Sequence, residues 1–276
     1  MKAVVTGHRG LIGQNLSNKL MSINFEVLGI GRDEAQDCSK DITDFNPDIV
    51  FHFGAEIYES QSMMENNVVM TKQIFDAAAK THCQYVIYCG SSSEYGRLDH
   101  AMKETDEMNP STMYELTKSM GTLIAKYSSN VFDYKVRVIR PFSVYGPYDK
   151  PRKLIPNLFR AYKQKTSIRI VPEPVHDWIY IDDFIEGVLK TTTLDDKFDI
   201  INIGTGIQTS NKAVVETFEL VADHKFDIEY TASLRGFDSN CWLCDPTHAK
   251  TRYNIKAETN LVTGLQKYID FMNHST

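Results

Sequence analysis

Thr6-Gly7-His8-Arg9-Gly10-Leu11-Ile12-Gly13 is the stretch whose reading decides the fold of this chain. It follows the apolar run Ala3-Val4-Val5 and opens into Leu11–Met21, a helical pattern. A glycine-rich turn between a buried strand and a helix brings backbone close against a dinucleotide pyrophosphate. Gly7 makes the tight turn, Gly10 lets the backbone approach the phosphates, and Gly13 lets helix and strand pack closely. The helix start then offers free N–H groups and positive partial charge to an anion. Arg9, Leu11 and Ile12 complete the set of residues placed against such a ligand.

Working outward, Glu26–Ile30 reads as a second strand, and Ile49–Phe53 as a third, introduced by the turn signal Asn46-Pro47-Asp48. Val68–Lys80 is helical, with Val68, Thr71, Ile74, Phe75 and Ala78 at helical spacing. Tyr85–Cys89 and Lys135–Arg140 continue the strand series. Strands alternating with helices predict an α/β chain of the Rossmann type, a doubly wound parallel sheet with crossover helices. After Pro141 the texture changes, with Pro147, Pro151, Pro156, Pro172 and Pro174 following. The expected organisation is a dinucleotide-binding lobe over 1–147. Residues 175–203 return to it as a helix, Trp178–Lys190, and a strand, Asp199–Ile203. A smaller C-terminal substrate-binding lobe takes 148–174 and 204–276.

The 276 residues carry 30 basic and 36 acidic side chains, a formal net charge of -6. This mild acidity argues against general binding to nucleic acid or an anionic membrane, so an anionic ligand needs locally placed donors. With 42% hydrophobic residues a chain of this length buries a large core without disulfides. The N-terminus runs straight into the glycine turn, which leaves no signal peptide, and no apolar run reaches membrane-spanning length. The expected location is cytoplasmic. Cys38, Cys83, Cys89, Cys241 and Cys244 are odd in number and scattered, the pattern of reduced thiols. Cys241-Trp242-Leu243-Cys244 has the gap of redox and zinc motifs, but no second pair accompanies it. It reads as a strand or turn, and no metal is expected.

The end of the second strand distinguishes the two nicotinamide cofactors. An acid there binds the ribose 2′-hydroxyl of NAD, and an arginine accommodates the 2′-phosphate of NADP. Here the strand ends Ile30-Gly31-Arg32, with glycine in the acidic place and a guanidinium after it. This favours NADP(H). NAD(H) stays open if Asp33 takes the acidic role and Arg32 only stacks on adenine.

Tyr114-Glu115-Leu116-Thr117-Lys118 puts a phenol and an ammonium one helical turn apart, on one face. A free tyrosine titrates near about 10, too high for proton transfer near neutrality. A neighbouring lysine cation favours the phenolate and lowers that value. Ser91, just past strand Tyr85–Cys89, stands at the C-terminal end of a parallel strand, where these folds bind ligand. Ser92 and Ser93 follow it, and at least one of them reads as turn chemistry.

Taken together these residues resemble the nucleotide-sugar epimerase/dehydratase/reductase branch of the extended short-chain dehydrogenase/reductase family. The Gly-x-x-Gly-x-x-Gly spacing after Thr6 is similar to that family's turn. Val50-Phe51-His52-Phe53-Gly54-Ala55 resembles its segment beneath the cofactor, and Asn66-Asn67-Val68 resembles the asparagine that steadies its active-site helix. Arg140-Pro141-Phe142-Ser143-Val144-Tyr145-Gly146-Pro147 is similar to its Arg-Pro-Phe-Asn-Val-Tyr-Gly-Pro. Asp177-Trp178-Ile179-Tyr180-Ile181-Asp182-Asp183 and Asn202-Ile203-Gly204-Thr205-Gly206 match two later signatures in order.

The resemblance implies hydride transfer between the nicotinamide and a sugar carbon, usually C4. It makes Tyr114 the acid/base, Lys118 the modulator of Tyr114 and a ribose contact, and Ser91 the residue that orients the sugar oxygen. Cofactor contacts are implied for Asp41 and Ile42 at the adenine, for Phe53, Gly54, Ala55 and Asn67, and for Pro141. Substrate contacts are implied for Ser92, Ser93, Ser143, His176 and Arg235, the last in Leu234-Arg235-Gly236-Phe237-Asp238. Ser143 replaces the usual asparagine and His176 the usual arginine, which weakens the standard grip on a diphosphate. The partners implied are a nucleotide-sugar and a second copy, paired through the helices around Val68–Lys80 and Tyr114–Ser128.

Dehydratases of this branch carry acids directly after the catalytic hydroxyl, where Ser92 and Ser93 stand; Glu94 falls one residue later. The loop Gly90-Ser91-Ser92-Ser93-Glu94-Tyr95-Gly96 resembles that of 4-ketoreductases, which with Arg32 tilts the reading to a reductase. An NAD-dependent epimerase is the second reading. A non-catalytic dinucleotide sensor is a third, although it would be free to lose Ser91, Tyr114 and Lys118. A reductase of a small ketone or steroid fits the later segments less well.

Overall fold

The structure is a computed structural model that describes residues 1–31, 37–232 and 240–274. Ala3, Val4 and Val5 have no solvent exposure, the condition for a strand covered on both faces. They form β1 (Lys2–Thr6), which the glycine turn joins to α1 (Leu11–Ser22). β2 (Glu26–Ile30), α2 (Cys38–Phe45) and β3 (Ile49–His52) follow. Next come α3 (Ser60–Met64), a π-helical turn over Glu65–Val69, and α4 (Met70–Ala78). β4 (Tyr85–Cys89) ends in a short 3₁₀ turn over Ser92–Tyr95 before α5 (Met113–Val131) and β5 (Lys135–Pro141).

The second half is built from shorter pieces. β6 (Ser143–Tyr145), α6 (Leu154–Gln164), β7 (Ile168–Ile170) and β8 (Val175–Tyr180) precede α7 (Ile181–Lys190) and β9 (Phe198–Ile203). β10 (Gln208–Ser210), α8 (Asn211–Ala222), β11 (Ile228–Tyr230), α9 (Thr247–Tyr253) and α10 (Leu261–His274) complete the chain.

The main sheet has the order β2-β1-β3-β4-β5-β9, and each of its pairings is parallel. The Rossmann-type parallel sheet expected from the sequence is therefore present. The order reverses between β1 and β3, which opens a crevice beyond the C-terminal ends of those strands. Alternation along β1 serves the two sheet faces: Ala3 and Val5 join one apolar cluster and Val4 the other. The first cluster runs on into Ile155 and Leu158 of α6, Phe184 of α7, Phe218 of α8 and Leu265 of α10. The later segments thus share a core with the nucleotide-binding layers.

Two elements differ from the sequence reading. The helix expected from Trp178 begins only at Ile181. Val175–Tyr180 is instead a strand, held between β6 and β10 in a small three-stranded sheet, and Asp182 and Asp183 fill the helix's first turn, where its dipole favours acids. The helix expected over Val68–Lys80 opens inside the π-helical turn, whose extra residue turns Asn67 into the interior. Among the described residues no helix is long and apolar enough to cross a membrane.

Candidate active site

The glycine turn is built as its spacing predicts. Gly7 has φ +70, and a Cβ there would stand 2.7 Å from the backbone nitrogen of Gly54; a Cβ on Gly13 would stand 2.2 Å from the Gly7 carbonyl. Only hydrogen fits at either place. No side chain caps the N-terminus of α1 and no acid occupies its first turn. Its leading N–H groups therefore face the crevice without a built-in anion to compete for them.

Behind the turn runs a chain of hydrogen bonds whose direction is fixed by its ends. The Gly54 N–H donates to Thr6 Oγ1 at 3.1 Å, and Thr6 Oγ1 lies 2.7 Å from His52 Nδ1. At the other end Thr71 Oγ1 spends its one proton on the Asn67 carbonyl at 2.7 Å, so it accepts from His52 Nε2 at 2.8 Å. The network assigns His52 the neutral Nε2–H tautomer. Burial, and secondarily the Lys118 charge, depress His52 to about 3, so it stays neutral. Asn67 then joins the two halves of the site. It accepts the Glu56 N–H at 2.7 Å, and its amide donates to the Glu56 carbonyl at 2.8 Å and to Thr117 on α5 at 3.1 Å.

The loop that carries Ser91 starts where β4 ends. Ser91 caps the 3₁₀ turn, its hydroxyl accepting the Ser93 N–H at 3.2 Å and lying 2.6 Å from Ser93 Oγ. Tyr114 sits in the first turn of α5, a helix fixed by a capping box between Thr112 and Glu115. Ser91 and Tyr114 line the same cleft. Burial raises the Tyr114 phenol above its ordinary range, an effect the neighbouring Ser91 hydroxyl opposes. Lys118 is buried one turn further along; its ammonium donates to the Cys89 carbonyl and lies 4.6 Å over the ring of Tyr88. In this arrangement the Lys118 ammonium is turned to the end of β4. Burial lowers the pKa of Lys118 itself.

One cleft of about 1570 Å³ gathers most of the residues singled out in the sequence. Gly7, Arg9, Gly10, Leu11, Ile12 and Gly13 line it, as do Phe53, Gly54, Ala55 and Pro141. Ser91, Ser92, Ser93, Tyr114, Lys118, Ser143 and His176 line its other end. Asn67 stands behind the wall rather than in it. Asp41 and Ile42 are not among the lining residues: α2 turns Cys38 toward the cleft and packs Ile42 in the core. Arg32 and Arg235 lie outside the described residues.

The ring of His176 meets Trp178 edge-on at 5.4 Å. Its neighbour Asp177 is fully buried and ties β8 to two later segments. It accepts from the Thr205 N–H at 2.7 Å, the Thr205 hydroxyl at 2.6 Å, the Gly206 N–H at 2.8 Å and the Cys244 N–H at 3.1 Å. That bracing accounts for the acid and the later glycines in the two signatures.

Sequence reasoning missed Trp242, whose indole donates to Ser92 Oγ at 3.2 Å and lines the cleft. It also missed Lys150 and Arg152, which line the cleft and stand 5.0 Å and 5.3 Å over the ring of Tyr58. No local pattern marks either group, since each depends on a loop crossing from the second half of the chain.

A family model described as NAD dependent epimerase/dehydratase family matches residues 3–204. The chain is 26% identical to a dTDP-glucose 4,6-dehydratase of Streptomyces griseus over 228 residues, covering 79% of this chain and 69% of that one. It is 23% identical to a UDP-glucose 4-epimerase of Mycolicibacterium smegmatis across 100% of both chains. Among solved structures, MoeE5 in complex with UDP-glucuronic acid and NAD superposes with a TM-score of 0.92 at 24% identity, covering 100% of both chains. A UDP-glucuronic acid 4-epimerase from Bacillus cereus, in complex with UDP-glucuronic acid and NAD, superposes with a TM-score of 0.90 at 22% identity, again over 100% of both chains. These likenesses match the fold end to end.

Proposed function

Because this chain belongs to the NAD dependent epimerase/dehydratase family of enzymes, we propose that it is an NAD-dependent epimerase acting at C4 of a UDP-linked sugar. The observation that carries this reading is the meeting of the glycine turn with Ser91, Tyr114 and Lys118 in one cleft. The loop beside them offers the hydroxyls of Ser92 and Ser93 where an elimination needs acids. Glu94 is withdrawn into the core, which counts against a dehydratase.

The cradle of Gly7 and Gly13, with the uncapped α1 behind it, fits a dinucleotide pyrophosphate. Bound NAD would supply a reversible hydride acceptor. In this reading the glycine turn holds the pyrophosphate, and Phe53, Gly54, Ala55 and Pro141 line the cofactor half. Lys118 holds the ribose and stabilises a phenolate on Tyr114. Tyr114 takes the proton of the sugar hydroxyl and later returns it, while Ser91 donates to the sugar oxygen. Ser92, Ser93, Ser143 and His176 surround the sugar and diphosphate. Residues 148–174 and 204–276 form the substrate-binding lobe.

Of the two readings of the sequence, the relatives support the epimerase over the 4-ketoreductase. The two solved complexes named above carry NAD in their descriptions. The NADP(H) preference inferred from Arg32 finds no support among them, and is set aside. A homodimer is also proposed. Leu116, Leu123, Tyr127 and Val131 are exposed at helical spacing on one side of α5, next to exposed Met64 and Val69.

The test is the nucleotide released when protein purified without added cofactor is denatured. An epimerase that regenerates its cofactor retains NAD. An empty protein that binds NADPH far better than NADH would instead favour the reductase.

A further inference from the structure

The position before Tyr95 holds a glutamate that no step of the proposed reaction uses. Glu94 is fully buried, yet both oxygens of its carboxylate are engaged. Oε1 accepts the backbone N–H of Ser91 at 2.7 Å. Oε2 accepts the Thr122 hydroxyl at 2.8 Å and the Arg140 guanidinium through Nε at 3.0 Å and Nη2 at 2.9 Å. Arg140 is 1% exposed and stands 4.3 Å over the ring of Tyr95, whose hydroxyl donates to Asn202 at 2.8 Å. The chain makes room for this group: a Cβ on Gly90 would lie 2.5 Å from Glu94 Oε1.

The donors come from three elements. Ser91 belongs to the loop after β4, Thr122 lies one turn beyond Lys118 on α5, and Arg140 is near the end of β5. One carboxylate therefore links the catalytic hydroxyl's backbone to the helix that carries Tyr114 and Lys118. A buried ion pair is a poor source of stability, because an apolar pair of similar volume costs less to bury. What the group supplies is a fixed position, since Oε2 is held by Arg140 and Thr122 while Oε1 is held by the Ser91 N–H, which leaves the carboxylate little freedom to rotate.

We propose that Glu94 is a positioning residue: with Arg140 and Thr122 it fixes the main chain at Ser91, and so aims the Ser91 hydroxyl at the site of Tyr114. The inference rests on the role of Ser91 proposed above. It makes Glu94 part of the scaffold rather than an acid or base of the reaction.

The experiment is steady-state kinetics with NAD, using UDP-glucose and UDP-glucuronic acid as probes, on Ser91→Ala, Glu94→Gln, their double variant, and Glu94→Leu with Arg140→Met. Glu94→Gln should lower kcat by up to about 100-fold, as expected for misplacement on the ångström scale. KM should change by less than about threefold, because ground-state binding is left intact. In the Ser91→Ala background Glu94→Gln should cost less than about twofold more, since both act through one hydroxyl. The apolar pair should keep the thermal midpoint but remain slow. Wild-type kcat in Glu94→Gln, or recovery of rate in the apolar pair, overturns the inference while leaving the role of Ser91 standing. Full activity in Ser91→Ala, or no turnover of either probe by the unaltered chain, overturns the parent reading and this inference with it.

Discussion

The indole N–H of Trp242 donates to the hydroxyl of Ser92 at 3.2 Å, joining residues separated by 150 positions. The contact presses a late segment of the chain against the loop that carries Ser91, and Trp242 packs on the cluster of Tyr95, Met102, Phe142 and Cys244. Trp242→Phe removes the hydrogen bond and keeps most of the wall. The expected loss is about 1 kcal/mol, roughly a fivefold fall in kcat/KM. Trp242→Ala opens the cleft as well and should cost more. Comparing the two in steady-state kinetics separates the bond from the wall.

Tyr114→Phe keeps the ring and removes the proposed proton-transfer group. Turnover should fall by about 1000-fold, while NAD binding measured by fluorescence is retained. Burial holds the phenol above its ordinary range, so little phenolate exists at neutral pH. Because the first step needs that phenolate, kcat/KM should rise as pH rises. Lys118→Met removes the nearby cation and should move the rise to still higher pH.

His52 makes a stability prediction with a definite sign. Its value in the folded chain is lowered to about 3, from 6.5 for an ordinary imidazole. Above the ordinary value neither state binds the proton and the group contributes nothing. Below it the unfolded chain takes up a proton that the folded chain refuses, so stability falls with pH at about 1.4 kcal/mol per unit. Urea unfolding at about pH 7 and about pH 5 should differ by about 2 kcal/mol through this group. In His52→Gln that part of the slope should vanish.

Leu123 and Tyr127 are 58% and 55% exposed on α5, large apolar side chains facing outward a turn apart. If a second copy covers them, Leu123→Glu with Tyr127→Glu should shift the sedimentation coefficient from dimer to monomer without lowering the thermal midpoint of the monomer. An unchanged coefficient would place any pairing elsewhere.

The parts of this molecule legible in the sequence were those set by local geometry. Gly7, Gly10 and Gly13 declare themselves because sterics within a few residues demand glycine. Tyr114 and Lys118 follow from the pitch of a helix, and Ser91 from its place after a strand. Asp41 and Ile42 fall outside the cleft lining because the start of α2 decides which residue faces the cleft, and Asp37 caps that helix so that Cys38 does. The strand Val175–Tyr180 was hidden inside a helical pattern because its partners, β6 and β10, lie far off in sequence. Glu94 was visible as a residue, but its function depends on Arg140, a partner 46 positions away. Trp242 depends on a longer crossing still.

The most direct test of the central claim follows the configuration at C4 by proton NMR. Purified protein is mixed with UDP-glucose or UDP-glucuronic acid, with NAD and without NADPH. A steady approach to a mixture of the two C4 epimers of one probe is expected, with no net change in dinucleotide. A chain that leaves both probes unconverted, or that consumes NAD in step with either probe, would contradict that claim.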